Sequence, residues 1–484
     1  MSLTFENSFG TLPVFFHESV EPTPLKDASL LHCTNLRAHL GLSSLTDAQL
    51  CSWLNGESRL PGDQRISTRY AGHQFGVWAG QLGDGRAISL GEVLVSSDTG
   101  IERHEVQVKG SGRTPFSRFG DGKAVLRSCV REYLCAEAMD ALGIPSTRSL
   151  ALISGSGAVE REEVEPEALV ARVFPTQIRF GHFEMAKHFD QKAELGALID
   201  YTRTRFFPEH STESMLEEVV NRTARMIALW QSVGFCHGVM NTDNMSILGL
   251  TLDYGPFGFM EDFNPDHVCN SSDREGRYAY SRQPSVGMEN LERLLVCFTD
   301  LLPRERLISL LETYPERFET HFFSAFRAKL GFSEALSEDA NLLKRLFLML
   351  EEHKIDFTSF FRGLSRYEVG QVDSLDEFFG SYPALRHEGS RVREWLRDYD
   401  QRLALEGSVD STRRRLMLAR NPKFVLKNPI AGAVIADPRL LNEAYSVIRS
   451  PFEEHPELDA HPEFKIWSRP LPDALKNQIL SCSS

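Results

Sequence analysis

Four groups of residues place oxygen and cationic side chains at spacings that suit phosphate chemistry. The first is His237-Gly238-Val239-Met240-Asn241-Thr242-Asp243-Asn244, followed by Asp253-Tyr254-Gly255. An amide oxygen and a carboxylate held on neighbouring loops are the hard donors that Mg²⁺ or Mn²⁺ prefers, which makes Asn244 and Asp253 candidate metal ligands. The second is Val106-Gln107-Val108-Lys109, an alternating stretch that ends on a lysine able to pair with phosphate oxygens. The third comprises two glycine-rich turns, Gly80-Gln81-Leu82-Gly83-Asp84-Gly85-Arg86 and Phe119-Gly120-Asp121-Gly122-Lys123. Glycine lets the backbone turn tightly and present N–H groups to an anion, although a Gly-Asp-Gly standing alone is more often an ordinary hairpin turn. The last is Arg172 and Arg179 around Val173-Phe174-Pro175, a candidate clamp on a terminal phosphate; without the other pieces they would read as surface charges.

In chain order these pieces follow the plan of protein kinases. There, a glycine-rich turn, a strand lysine, a glutamate on the next helix, an H-R-D-x-x-x-x-N loop and a D-F-G tripeptide bind nucleotide and metal. His237 and Asn244 keep that spacing, and Asp253-Tyr254-Gly255 matches the tripeptide. Glu132 is the best partner for Lys109, since it falls on the helix face of Val125, Cys129, Ala136 and Met139, where an inward carboxylate needs a cation. Glu137 is the alternative. The loop departs at Val239, where kinases carry an aspartate base. Valine cannot accept a proton, so Asp243 is the nearest carboxylate that can serve as general base.

The elements that must position these groups are legible in outline. Stretches around Gly76-Val77-Trp78, Ala87-Ile88-Ser89-Leu90 and Val106-Gln107-Val108 alternate like strands and are separated by Gly and Asp turns, predicting a small antiparallel sheet. Residues 124–142 have helix composition and stop at Gly143 with Pro145 beyond. Two strand patterns follow, over 150–153 and 168–174. Met215, Val219, Val220, Thr223, Met226, Ile227 and Trp230 recur at helical spacing and predict a buried helix ending at Gly234. The fold class predicted is α+β, a protein-kinase-like two-lobed plan. Its parts are a wrapping segment over 1–65, a strand-rich lobe with one helix over 66–175, a helical lobe over 176–300 and a helical extension over 301–484.

At 484 residues and ordinary apolar content the chain has material for a large soluble core. Its formal charge of −14 argues against a nucleic-acid partner, so phosphate sites must be built locally. No basic segment followed by an apolar one opens the chain and no apolar run is long enough to span a bilayer, which predicts a cytoplasmic protein without membrane contact. The eight cysteines form no CxxC pair and no zinc spacing.

Beyond the kinase pattern the residues resemble the selenoprotein O family of protein adenylyltransferases over nearly the whole chain. The resemblance rests on Arg69-Tyr70-Ala71-Gly72-His73-Gln74-Phe75-Gly76, the Gly83/Gly85/Arg86 turn, Asp121-Gly122, the loop 237–244 and Asp253-Tyr254-Gly255-Pro256-Phe257. It implies ATP bound in an inverted sense, terminal phosphates buried and α-phosphate toward the acceptor. Gly83, Gly85, Arg86, Lys109, Asp121, Gly122, Arg172, Arg179 and Asp253 would hold the nucleotide, Asn244 and Asp253 would bind Mg²⁺ or Mn²⁺, and Asp243 would be the base. The reaction implied is transfer of AMP from ATP, with UTP as an alternative donor of UMP, to Ser, Thr or Tyr hydroxyls of target proteins. Its rivals are γ-phosphoryl transfer by a divergent kinase and a nucleotide-binding scaffold without catalysis. Selenocysteine members carry that residue near the C-terminus, where this chain has Cys482. Cys482 and Cys269 both lie in polar, loop-like sequence, and a reversible disulfide between them is expected to compete with the reading of two free surface thiols.

Overall fold

The alternation in Val106-Gln107-Val108-Lys109 needs a sheet with one apolar and one polar face. The computed structural model of the chain, which describes residues 5–97, 100–371, 391–476 and 478–481, contains one. Its strands are β1 (Phe5–Glu6), β2 (His17–Ser19), β3 (Ser29–Cys33), β4 (Ile66–Thr68), β7 (Ala87–Ser97), β8 (Gly100–Lys109), β9 (Ala124–Val125), β10 (Arg148–Glu160) and β11 (Val164–Phe174), while β5 (His73–Gln74) and β6 (Val77–Trp78) form a separate hairpin. The lateral order is β2-β4-β7-β8-β11-β10-β3, with β1 on β7 and β9 on β11, and these pairings are antiparallel. The first 65 residues, expected to wrap, thus put three strands into the sheet. Strands of two to five residues are too short to display a period of two.

Register sorts the side chains. Val108 lies opposite Ala171 and Gln107 opposite Arg172, so Val106, Val108, Leu169, Ala171 and Val173 share one face, and Gln107, Lys109 and Arg172 the other. The apolar face joins one core with helices α1 (Leu36–His39) and α2 (Asp47–Leu54), whose Leu36, Leu50, Trp53 and Leu54 are buried there. Helix α2 starts at a capping box: Thr46 N donates to Gln49 Oε1 (2.8 Å) and Gln49 N to Thr46 Oγ1 (3.2 Å). The other face is covered by α3 (Leu126–Ala141), whose Val130, Tyr133 and Leu134 share a core with Leu152, Ala168 and Val170.

After α4 (Phe180–His188) and α5 (Lys192–Phe206), helix α6 (Thr212–Ser232) carries the predicted apolar face, and all seven of its marker residues are buried. The chain leaves it through Gly234 at φ +71°, a left-handed turn glycine adopts without strain. Directly beyond, β12 (Phe235–Cys236) pairs with β13 (Gly258–Phe259), and this short ribbon closes a loop that holds His237, Asp243, Asn244 and Asp253. Helices Tyr314–Leu330, Asp339–Glu352, Phe357–Leu364 and Arg391–Leu405 build a second core around Phe326, Leu346, Phe361, Trp395 and Tyr399. The chain then returns, and Asn428–Ala436 and Leu441–Arg449 pack against α3. Among the described residues no helix is long and apolar enough to cross a membrane.

Lys329 lies within the second core, its Nζ 4.3 Å from the Phe361 ring centre and 5.7 Å from that of Phe357. Burial pushes its amine down to about 7, and the two rings, by favouring the cation, return part of that cost. Above the usual value of 10.5 the amine is neutral in folded and unfolded chains alike. Between there and 7 the unfolded chain holds a proton that the folded chain refuses, so stability falls with falling pH across this window and levels off below it. Lys329→Met is expected to stabilise the protein at pH 7 by roughly 1–3 kcal/mol and by less at pH 9.5, since each tenfold loss of proton affinity is worth about 1.4 kcal/mol. Thermal unfolding at both values checks this; a lower midpoint for the variant at pH 7 would mean that the ring contacts outweigh burial.

Candidate active site

The face carrying Gln107, Lys109 and Arg172 turns toward the loop closed by β12 and β13, and a cavity of about 690 Å³ lies between them. Gly83, Gly85, Arg86, Lys109, Asp121, Gly122, Glu132, Arg172, Arg179, Asp243, Asn244 and Asp253 all line it. Cationic side chains outnumber carboxylates along its wall, against the negative charge of the whole chain.

Its floor is an ion network centred on Asp253. Lys109 Nζ donates to Glu132 Oε2 (2.7 Å) and Asp253 Oδ1 (3.0 Å). Arg172 Nη1 donates to Glu132 Oε1 (2.9 Å) and Asp253 Oδ1 (2.6 Å), and Arg179 Nη1 reaches Asp253 Oδ2 and the Asp243 carbonyl (2.7 Å). Lys109 and Arg172 meet because register sets them diagonally on adjacent strands, and Glu132 reaches them from α3. Glu137, the alternative partner for Lys109, is occupied elsewhere by Arg148 Nε (2.8 Å) and Ser149 N (2.9 Å). Burial alone would push the Asp253 carboxyl up, but Arg179, Lys109 and Arg172 hold it well below the usual range. Burial likewise opposes ionisation of Glu132, and Lys109 and Arg172 overcome it. Asp253 sits at φ +53°, a left-handed conformation uncommon outside glycine.

Above the floor, the loop is fixed by its backbone. His237 Nε2 is 2.8 Å from the Leu252 carbonyl, Asn244 Nδ2 donates to the Val239 carbonyl (2.9 Å), and Asn241 Oδ1 accepts from Tyr278 Oη (2.6 Å) and Phe75 N (3.1 Å). Asp243 is buried; Gln74 Nε2 donates to its Oδ2 (3.2 Å), and its Oδ1 has no hydrogen-bond partner. Burial pushes this carboxyl up to about 6 against the pull of Gln74 and Arg179. The Nε atoms of Arg172 and Arg179 are also buried without partners. Orphaned buried polar atoms around one cavity call for a ligand.

The two glycine turns form another wall. Asp84, between Gly83 and Gly85, is buried and accepts from Thr68 N (3.1 Å) and Oγ1 (2.6 Å), which anchors the turn ahead of β7. Gly122 has φ +72°, and a Cβ there would stand 2.0 Å from the Gly112 carbonyl, so only glycine fits. Asp121 accepts from both terminal nitrogens of Arg161 (2.9 Å each) and from Lys123 N (2.9 Å).

Sequence reasoning gave no role to Gln74, Gln107 or Arg161. Gln107 joins Arg172 Nη2 to the Gln177 side chain, and its only sequence signal was its place beside Lys109 on an alternating strand. Cys269, expected in an accessible loop, is instead buried, with its Sγ donating to the Cys236 carbonyl (3.5 Å). The polar neighbours that suggested exposure face inward: Asn270 Nδ2 donates to the Gly238 carbonyl (2.9 Å), and Asp273 accepts from Arg277 N (2.8 Å) and Tyr278 N (2.7 Å). The tail docks beside it, Leu480 N donating to the Cys269 carbonyl (3.1 Å) and Ser271 N to that of Leu480 (2.7 Å). Cys482 lies outside the described residues.

Comparison with known proteins covers nearly the whole chain. A family profile described as "Protein adenylyltransferase SelO" matches residues 1–447. Relatives named "Protein nucleotidyltransferase YdiU" align end to end. That from Myxococcus xanthus is 42% identical over 100% of this chain and 99% of its own length. Those from Dechloromonas aromatica and Aeromonas hydrophila are each 43% identical over 99% of this chain, covering 97% and 99% of their own lengths.

Proposed function

Because the chain belongs to the protein adenylyltransferase SelO family, we propose that it is a protein nucleotidyltransferase that moves AMP from ATP to hydroxyl groups of proteins. The observation that carries this reading is the surplus of buried positive charge on the cavity floor. Among the described residues Lys109, Arg172 and Arg179 make ion pairs with two carboxylates, Glu132 and Asp253, and an unbalanced buried charge is costly unless a ligand meets it. The terminal phosphates of a nucleoside triphosphate supply that counter-charge, and the cavity volume is in the range of small-molecule and cofactor sites. Terminal phosphates buried on the floor leave the α-phosphate nearer the acceptor, which favours AMP transfer over γ-phosphoryl transfer. UTP remains an alternative donor.

The donor set fits a hard divalent cation. Asn244 has committed its amide nitrogen to Val239, which leaves its oxygen as the free acceptor, and Asp253 is ionised. Asn244 and Asp253 would hold Mg²⁺ or Mn²⁺, which when bound supplies positive charge to phosphate oxygens. In the transfer step the oxygen of a Ser, Thr or Tyr hydroxyl attacks the α-phosphorus. The bond from that phosphorus to the bridging oxygen breaks, pyrophosphate departs with the electron pair, and the hydroxyl proton passes to Asp243. Lys109, Arg172 and Arg179 hold the departing pyrophosphate. Gly83, Gly85, Arg86, Asp121 and Gly122 line the rest of the nucleotide path, Asp121 by fixing Arg161. A two-lobed kinase-like division at about residue 175 would set the sheet and α3 on one side of the nucleotide and the 237–257 loop on the other, in keeping with the residues that line the cavity.

Incubation with an acceptor protein and ATP labelled at the α- or the γ-phosphate tests the reading. Label is expected in protein only from α-labelled ATP; retention from the γ-labelled nucleotide alone would overturn it in favour of a kinase.

A further inference from the structure

Away from the nucleotide cavity, His39, Glu102 and His104 bring one ligand atom each to within 4.8 Å of one another. Glu102 and His104 are two apart on β8, so both point to the same side of the strand. Their cross-strand partners on β7, Val95 and Val93, bring no competing charge. His39 ends α1 and reaches the pair from the N-terminal segment. His104 Nε2 lies 3.3 Å and His39 Nε2 3.7 Å from Glu102 Oε2, and the two imidazoles stand edge to face, their centres 5.2 Å apart. A tetrahedral ion with bonds of about 2.0–2.1 Å sets its donor atoms about 3.3 Å apart. The two nitrogen–oxygen separations are therefore close to those of a ligand set, and a small rotation of either ring closes the remaining nitrogen–nitrogen gap. The side chains of His39 and Glu102 are 49% and 42% exposed, so an ion can enter from solvent. His39 and His104 also line a cavity of about 420 Å³ with Arg148 and Arg449, which leaves room for a further ligand.

We propose that His39, Glu102 and His104 form a second metal site, for Zn²⁺ or a similar divalent transition ion. Two imidazoles and one carboxylate select such an ion, whereas the oxygen donors Asn244 and Asp253 suit Mg²⁺ or Mn²⁺. Bound there, the ion ties α1 to β8 and so fastens the N-terminal segment to the sheet that carries Lys109. The three ligands take no part in nucleotide transfer.

Co²⁺ is the probe, titrated into the full-length protein with excess Mg²⁺ present to occupy the oxygen-donor pair. The expected result is one Co²⁺ per chain by equilibrium dialysis, with visible absorption of a nitrogen- and oxygen-ligated ion that Zn²⁺ abolishes. Zn²⁺ should also raise the unfolding midpoint in proportion to the logarithm of its concentration. His39→Gln with His104→Gln should weaken Co²⁺ binding at least tenfold and remove the Zn²⁺-dependent shift, with AMP transfer unchanged. Glu102→Gln, which keeps the side-chain shape, should weaken binding without altering the metal-free midpoint. Co²⁺ binding of equal affinity and spectrum in the histidine variant would overturn the proposal, as would failure of the parent protein to bind.

Discussion

Asp253→Asn is expected to reduce AMP transfer to background and to destabilise the folded chain. The carboxylate does two jobs that an amide cannot share. It is the common acceptor for Lys109, Arg172 and Arg179, and it is the charged half of the proposed metal pair. Removing one member of a buried ion network leaves its partners uncompensated, at a cost of about 3–5 kcal/mol; here the loss should sit toward the low end, because the Asp253 side chain is 20% exposed. Transfer of α-labelled AMP and thermal unfolding in the absence of nucleotide measure the two effects separately. A variant that keeps native transfer would remove Asp253 from metal binding, whatever its stability.

Asp243→Asn isolates the proposed base from the scaffold. The substitution preserves shape, and the neighbouring cations bond Asp253 and the Asp243 carbonyl rather than the Asp243 carboxylate. Nucleotide affinity should therefore stay within a few-fold, while turnover falls roughly 10²–10⁴-fold, the range for loss of a general base. Stability should change little, since the carboxylate accepts one side-chain bond, from Gln74, and its other oxygen has no partner. Nucleotide binding by calorimetry beside single-turnover transfer resolves the two quantities. Near-native turnover would exclude Asp243 as the base.

The legible parts of the site were those encoded locally. The loop 237–244, the Asp253 tripeptide, the strand ending on Lys109 and the inward face bearing Glu132 could all be read because each is a short pattern with a fixed period. What could not be read depends on register between distant segments. Arg172 meets Lys109 only because β11 pairs with β8 in one register, and Arg161 reaches Asp121 from the β10–β11 turn. Cys269 was misjudged because Asn270 and Asp273 look solvent-seeking in sequence. Polar side chains that satisfy the backbone of a buried loop are themselves buried, and no composition rule separates them from surface polar residues.

Helix α3 is anchored by two arginines that do not line the nucleotide cavity. Arg131 donates to Asn428 Oδ1 (3.1 Å) and the Phe257 carbonyl (3.0 Å), and Arg449 donates to Asp140 Oδ2 (2.7 Å) and the Glu137 carbonyl (3.1 Å). Protein kinases are controlled by repositioning the helix whose glutamate pairs with the strand lysine. Here such a repositioning would break several charge-assisted bonds together, each worth about 1.5–3 kcal/mol. The returning C-terminal helices thus hold α3 through Asn428 and Arg449.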